Sequence, residues 1–160
     1  MNAHDALKLS IDMGKMISMA YLGDLTDAEM MKRPATGCNH ITWQVGHLIA
    51  SEYDMVNKIS PGSVPELPNG FAAKYTKEMA ASDLPSDFHS KAELMSAFEK
   101  TRAGTLAALE KTSDSDFDKP TGVEYAPTVG AMYELQGSHW LMHVGQWAVV
   151  RRMCGRPPLF

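Results

Sequence analysis

The residues of this chain best suited to chemistry are histidines. His139 and His143 stand four positions apart in His139-Trp140-Leu141-Met142-His143-Val144-Gly145-Gln146. On a helix, residues at i and i+4 project from one face, so both rings can reach a single metal ion. A third imidazole has to come from another element, and His40 and His47 are the candidates. Three imidazoles around a divalent cation leave a coordination position open, which is what a catalytic metal needs. The spacing alone is a weak motif in a chain with six histidines, so the argument turns on where the elements send these side chains.

Four long helical segments are expected. In the first, Ala6, Leu9, Met13, Met16, Ile17 and Ala20 form an apolar stripe at helical spacing, with Asn2 or Asp5 as cap. Thr26-Asp27-Ala28-Glu29 is a capping box that opens a short helix before Pro34. The second long helix covers about residues 40 to 59, capped by Asn39 and ended by Ser60-Pro61-Gly62. Residues 60 to 88, with four prolines and two glycines, are too long a gap for adjacent antiparallel helices and suggest a crossover. A third helix opens at the capping box Ser90-Lys91-Ala92-Glu93 and carries Leu94, Phe98, Thr101, Thr105, Ala108 and Leu109 on one side. The fourth runs from about Thr128 to Cys154, where Gly155 and Pro157-Pro158 stop it. No stretch alternates long enough for a sheet, so the expectation is an all-α four-helix bundle forming one domain over residues 1–160.

On the fourth helix, Met132, Leu135, Met142, Val149, Val150 and Met153 form the expected apolar stripe, with Gln136, His139, His143 and Gln146 near its centre. Polar groups aimed into a core need partners, and a metal best accounts for two histidines together. On the second helix the stripe of Ile41, Val45, Leu48, Met55, Val56 and Ile59 leaves His47 on the flank, on the face that also holds His40, Trp43, Ser51 and Asp54. Spacing does not choose between His40 and His47. Glu52 lies near the centre of that stripe and Gln146 one turn beyond His143, so either could orient a ligand or move a proton. The ordinary alternatives are an ion pair of Glu52 with Arg102 or a lysine, and a helix-to-helix hydrogen bond for Gln146. Arg151 and Arg152 favour the negative end of the helix. Met13, Met16, Met132 and Met142 are read as core gap-fillers and not as copper ligands. Trp43, Trp140 and Trp147 are read as packing or interface residues, and an exposed Trp140 face would point to a homodimer.

Composition narrows the functional classes. The content of 44% apolar and 21% charged residues is that of a globular domain. A net charge of −4, with only 15 Lys and Arg and no basic run, argues against a nucleic-acid partner. No apolar run approaches the roughly 18–20 residues that span a membrane, and the first residues lack a basic leader, so a cytoplasmic location is expected. Cys38 and Cys154 lie far apart with no CxxC spacing, which indicates neither a disulfide framework nor a thiolate zinc site.

Gly46-His47-Leu48 after Trp43, together with His139-x-x-x-His143-x-Gly145-Gln146 in a last helix that runs into Arg151-Arg152 and Gly155, resembles the DinB/YfiT-like superfamily. Leu25-Thr26, Arg33-Pro34, the long connection and Asp116-Phe117 fall where that family would place them. The resemblance implies a bundle of up-down-down-up topology and a divalent metal, often nickel or zinc, held by His47, His139 and His143. It also implies a small-molecule substrate, and relatives include S-transferases and isomerases that use a low-molecular-weight thiol such as bacillithiol, mycothiol or glutathione. The expected function is therefore a thiol-dependent S-transferase type of activity, in which the cation activates the thiol. The alternatives are a hydrolase in which water takes the place of the thiol, and a non-catalytic bundle that binds a metal or ligand.

Overall fold

Capping chemistry sets where the helices begin. The computed structural model describes residues 1–159, and among them the α-helices are α1 (Ala3–Leu22), α2 (Asp27–Met30), α3 (Ile41–Ile59), α4 (Lys91–Lys111) and α5 (Val129–Met153). Asn2 with Asp5, Thr26 with Glu29 and Ser90 with Glu93 form reciprocal capping boxes, each satisfying two backbone N–H groups that a helix start leaves unpaired. The cap of α3 differs from expectation: it is His40 and not Asn39. The His40 Nδ1 accepts the Trp43 backbone N–H at 3.0 Å, and its Nε2 donates to the Ser82 carbonyl at 3.2 Å. With both nitrogens engaged and the ring fully buried, His40 is a structural residue.

Contacts between residues of different helices fix the helix directions. Gly14 meets Gly137 and, farther along, Tyr21 meets Arg151, so α1 and α5 run parallel. Gln44 meets Gln146 while Glu52 meets Trp140, so α3 runs against α5. Lys15 pairs with Glu99 and Lys91 reaches the Gly23 carbonyl, so α4 runs against α1. Helices α3 and α4 are therefore parallel to each other, and the chain between them must return along the length of the bundle. It does so through 3-10 turns at Ala72–Tyr75, Met79–Ala81 and Pro85–Asp87, pinned by buried Phe71, Tyr75 and Phe88. The Tyr75 ring lies against α3 at Gly46, where an added Cβ would stand 2.1 Å from it. The glycine before His47 is thus required by packing.

The α4 stripe from Leu94 to Leu109 is buried as its spacing predicts, but the α1 stripe faces largely outward and the α5 stripe does so in part, with Met132 and Val150 buried. On α1 the buried residues are Ile11, Gly14, Ser18 and Leu22, while Leu9, Met13 and Met16 are exposed. The reason is close backbone approach: a Cβ on Gly137 would lie 2.5 Å from the Ser10 carbonyl oxygen, so α1 meets α5 through small residues and has no room there for Leu or Met. On α5, Met142 is 64% exposed and Val149 and Met153 are exposed too, because Tyr133, Trp140, Val144 and Trp147 fill the core face. Of the four methionines read as gap-fillers only Met132 is buried. Trp140 is 1% exposed and offers no surface to a second copy. No helix among the described residues is long and apolar enough to cross a membrane.

One polar network crosses the core. Arg102 of α4 donates to the Glu52 carboxylate of α3 at 2.8 Å, to the Ile11 carbonyl of α1 at 3.1 Å and to the Gln136 carbonyl of α5 at 2.9 Å. Glu52 also accepts from Thr105 Oγ1 at 2.7 Å and from the Trp140 indole at 3.2 Å, and both charged side chains are 1% exposed. Removing one partner leaves the other charge buried and alone. Arg102→Leu is expected to lower unfolding free energy by about 3–5 kcal/mol, and the double variant Glu52→Leu/Arg102→Met by distinctly less. Urea unfolding of the two variants checks this, and equal losses would mean that the charges are not coupled.

His40 generates a pH dependence. Burial, then the Arg33 charge, push its imidazole from 6.5 down to about 4. Because the folded value lies below the unfolded one, the unfolded chain takes up the proton first. His40 therefore costs no stability above pH 6.5, and stability falls as pH drops from there toward 4. His40→Asn keeps a good cap and should flatten part of that acid limb in melts of cation-free protein; an unchanged limb would remove His40 from the account.

Candidate metal centre

The antiparallel packing of α3 on α5 brings His47, His139 and His143 together. One ligand nitrogen from each lies within 4.8 Å of the others, and the ring centroids are 5.1 to 5.9 Å apart. Imidazoles hold a first-row cation at roughly 2.0–2.1 Å, so the three nitrogens would have to draw together from this spacing to share one. His47 and His139 are half-buried and His143 is 9% exposed, so the cluster lies at the mouth of the α3–α5 groove. It is not at the centre of the bundle, where the α5 stripe had placed it, because Trp140 and Trp147 occupy that centre.

Two neighbours set the orientation of the rings. The His47 imidazole stacks on Trp43, with centroids 4.9 Å apart and planes within 4°, and the Trp43 indole is itself held by the Thr76 carbonyl at 3.0 Å. His143 is fixed by Gln44. The Trp147 indole lies 2.9 Å from the Gln44 Oε1, and an indole N–H can only donate, so the Gln44 atom facing it must be the carbonyl oxygen. That same oxygen lies 2.8 Å from His143 Nδ1, so Nδ1 must carry the hydrogen. In a neutral ring this leaves the Nε2 lone pair free toward the cluster.

The imidazoles are also held neutral. Burial, with smaller contributions from the neighbouring histidines, pushes His139 and His143 down to about 4, and burial alone lowers His47. No carboxylate belongs to the cluster, and neither His47 nor His139 has a hydrogen-bond partner among the described residues. Three neutral imidazoles are a donor set that a borderline divalent cation takes, and His143 has the hydrogen-bonded second nitrogen usual for such a ligand. The residues fit such an ion.

The other expected site residues go elsewhere. Glu52 accepts from Arg102 and Thr105 in the core network, and its link toward the cluster is the Trp140 indole that donates to it, the neighbour of His139 in the chain. Gln146 accepts from the Gln44 amide at 3.1 Å and so stands one residue removed from His143. Gln44 itself was not anticipated, although it lies between His47 and the apolar stripe of α3 by helical register. A buried amide there asks for a partner as plainly as Glu52 does. Larger recesses of about 460 and 360 Å³ lie beside His89 and contain none of the three histidines.

A family model described as the DinB superfamily matches residues 12–147, a stretch that contains all three histidines, Trp43 and Gln44. Among solved structures, a conserved protein of Enterococcus faecalis is similar over 98% of this chain and 99% of its own, with a TM-score of 0.71 at 16% identity. That likeness concerns the fold. No curated protein matches the sequence.

Gln44→Leu tests the orienting role. It leaves the His143 and Trp147 donors without an acceptor and should cost about 1–3 kcal/mol of stability. Nitrogen-15 NMR of wild type should show His143 protonated at Nδ1, with that preference lost in the variant. Wild-type protonation at Nε2 would contradict the assignment.

Proposed function

The chain belongs to the DinB superfamily, and on that premise we propose that it binds one divalent cation through His47, His139 and His143 and activates a thiol for transfer to a small electrophile. The observation that carries the reading is the convergence of three neutral imidazoles with no acidic group among them. When bound, a divalent cation supplies Lewis acidity and lowers the pKa of a thiol or water so that a nucleophile exists near neutral pH. The residues of the chain do the rest. His143 presents Nε2 because Gln44 holds its Nδ1–H, and Trp43 keeps the His47 ring in one plane. A ligand set without charge does not neutralise the cation, which favours an anionic sulfur at the remaining position. Zinc and nickel both suit imidazole donors.

Tag-free protein expressed with nickel, zinc and manganese supplied should contain near-stoichiometric divalent metal by elemental analysis. His47→Ala, His139→Ala and His143→Ala should each lower its affinity at least tenfold, whereas His40→Asn keeps it. Absence of metal from wild type would end the metalloenzyme reading. Given metal, incubation with an electrophile and glutathione, mycothiol or bacillithiol, beside a thiol-free control, separates S-transfer from hydrolysis, and turnover without thiol would favour the hydrolase.

A further inference from the structure

We propose that the compound processed at the histidine cluster carries an uncharged, apolar group beside its reacting atom, and that this group lies in the recess between α3 and α5 next to Tyr125. This rests on the metal reading above and names the substrate class that site serves. The recess holds about 330 Å³ and opens at His47 and His139. Its remaining walls are Ser51 and Met55 of α3, Leu135 and Met142 of α5, and Tyr125 of the loop before α5. No lysine or arginine lines it, and the charged residues adjacent in the chain to its lining, Glu52, Asp54, Glu124 and Glu134, are all acidic. Beyond the reach of the bound cation, an anionic group in the recess would therefore meet no positively charged side chain and would be desolvated without a partner.

The walls also gain by being covered. Met142 is 64% and Tyr125 69% exposed, so a ligand lying between them removes apolar surface from water on both sides. Unbranched thioethers adapt to ligands of different outline. The position of Tyr125 follows from its loop: Thr121 bonds the Pro127 carbonyl at 3.0 Å, Ala126 bonds the Val123 carbonyl at 3.2 Å, and Ala126 is fully buried. The loop closes on itself and holds the phenol ring at the edge of the recess. A volume near the lower end of the roughly 300–1,000 Å³ of small-molecule sites suits one aromatic ring or a short alkyl chain. Away from the bound cation, the carboxylates of a thiol such as glutathione find no lysine or arginine along this recess, so the recess serves the electrophile.

The test uses zinc-loaded protein, with loading verified by elemental analysis, and calorimetric titration with three zinc-binding probes. These are acetohydroxamic acid, hexanohydroxamic acid and adipic acid monohydroxamate, the last having the same chain as the second with a carboxylate in place of its methyl group. At about fourfold per buried methylene, the hexanoyl probe should bind at least tenfold tighter than the acetyl one and at least tenfold tighter than the carboxylate one. Tyr125→Ala and Met142→Lys, both at exposed positions, should narrow the first ratio, and Met142→Lys should narrow the second as well. Equal affinity of the acetyl and hexanoyl probes, or tighter binding of the carboxylate probe, overturns the proposal while leaving the metal reading intact. A protein that takes up no zinc overturns the metal reading and this proposal with it.

Discussion

Arg102 reaches three helices other than its own from one guanidinium group, accepted by the carboxylate of Glu52 and by main-chain carbonyls of α1 and α5. A buried ion pair of this kind adds little net stability, because the desolvation of both charges offsets their attraction. What it imposes is register. Each acceptor has one position at which the two terminal guanidinium nitrogens are satisfied, the Nε being buried without a partner, and sliding any helix by a turn would strand a charge in the core. Trp140 is part of the same arrangement: its indole N–H ends on Glu52, and its ring lies beside both Phe98 and the Arg102 guanidinium. The register of α5 relative to α3 is therefore set one residue away from His139.

From that constraint the site follows mechanically. With Trp140 and Trp147 turned into the core, the residues on the adjoining side of α5 are His139 and His143, and they face α3 across a narrow groove. Gly46 lets the Tyr75 ring lie against α3, and Trp43 and Gln44 then orient His47 and His143. The imidazoles are buried enough to stay neutral and exposed enough to admit a small molecule. The acid and base groups of the interior are consumed elsewhere: Glu52 by Arg102, Thr105 and Trp140, and His40 by the cap of α3. The cluster is left with lone pairs and almost no competing partners, which is the chemical meaning of its geometry.

The long helices, their capping boxes and the crossover were legible in the chain, though not the His40 cap of α3, because capping boxes, Pro-Gly stops and loop length are local properties. The pairing of His139 with His143 was legible for the same reason, since i, i+4 geometry is fixed once the helix is. The buried faces of α1 and α5 were not. Periodicity weighs how apolar a side is, and it has no term for how closely two backbones approach. Gly14 and Gly137 bring α1 and α5 into contact, so small residues occupy the core side and the Leu and Met stripe of α1 turns outward.

His47 marks the same boundary. Helical spacing by itself determined that α3 carries two histidines on one flank and left His40 and His47 equal, and the family resemblance pointed to His47 without a physical reason. Only the tertiary structure supplied that reason, because Ser82 arrives from the crossover to take the second nitrogen of His40, while nothing arrives for His47 except Trp43 and two rings from α5. The role of Gln44 was decided in the same way, by an indole from α5 that can only donate. Which polar side chains are free for chemistry depends on what every other segment has already satisfied, and that accounting exists only once the chain has folded.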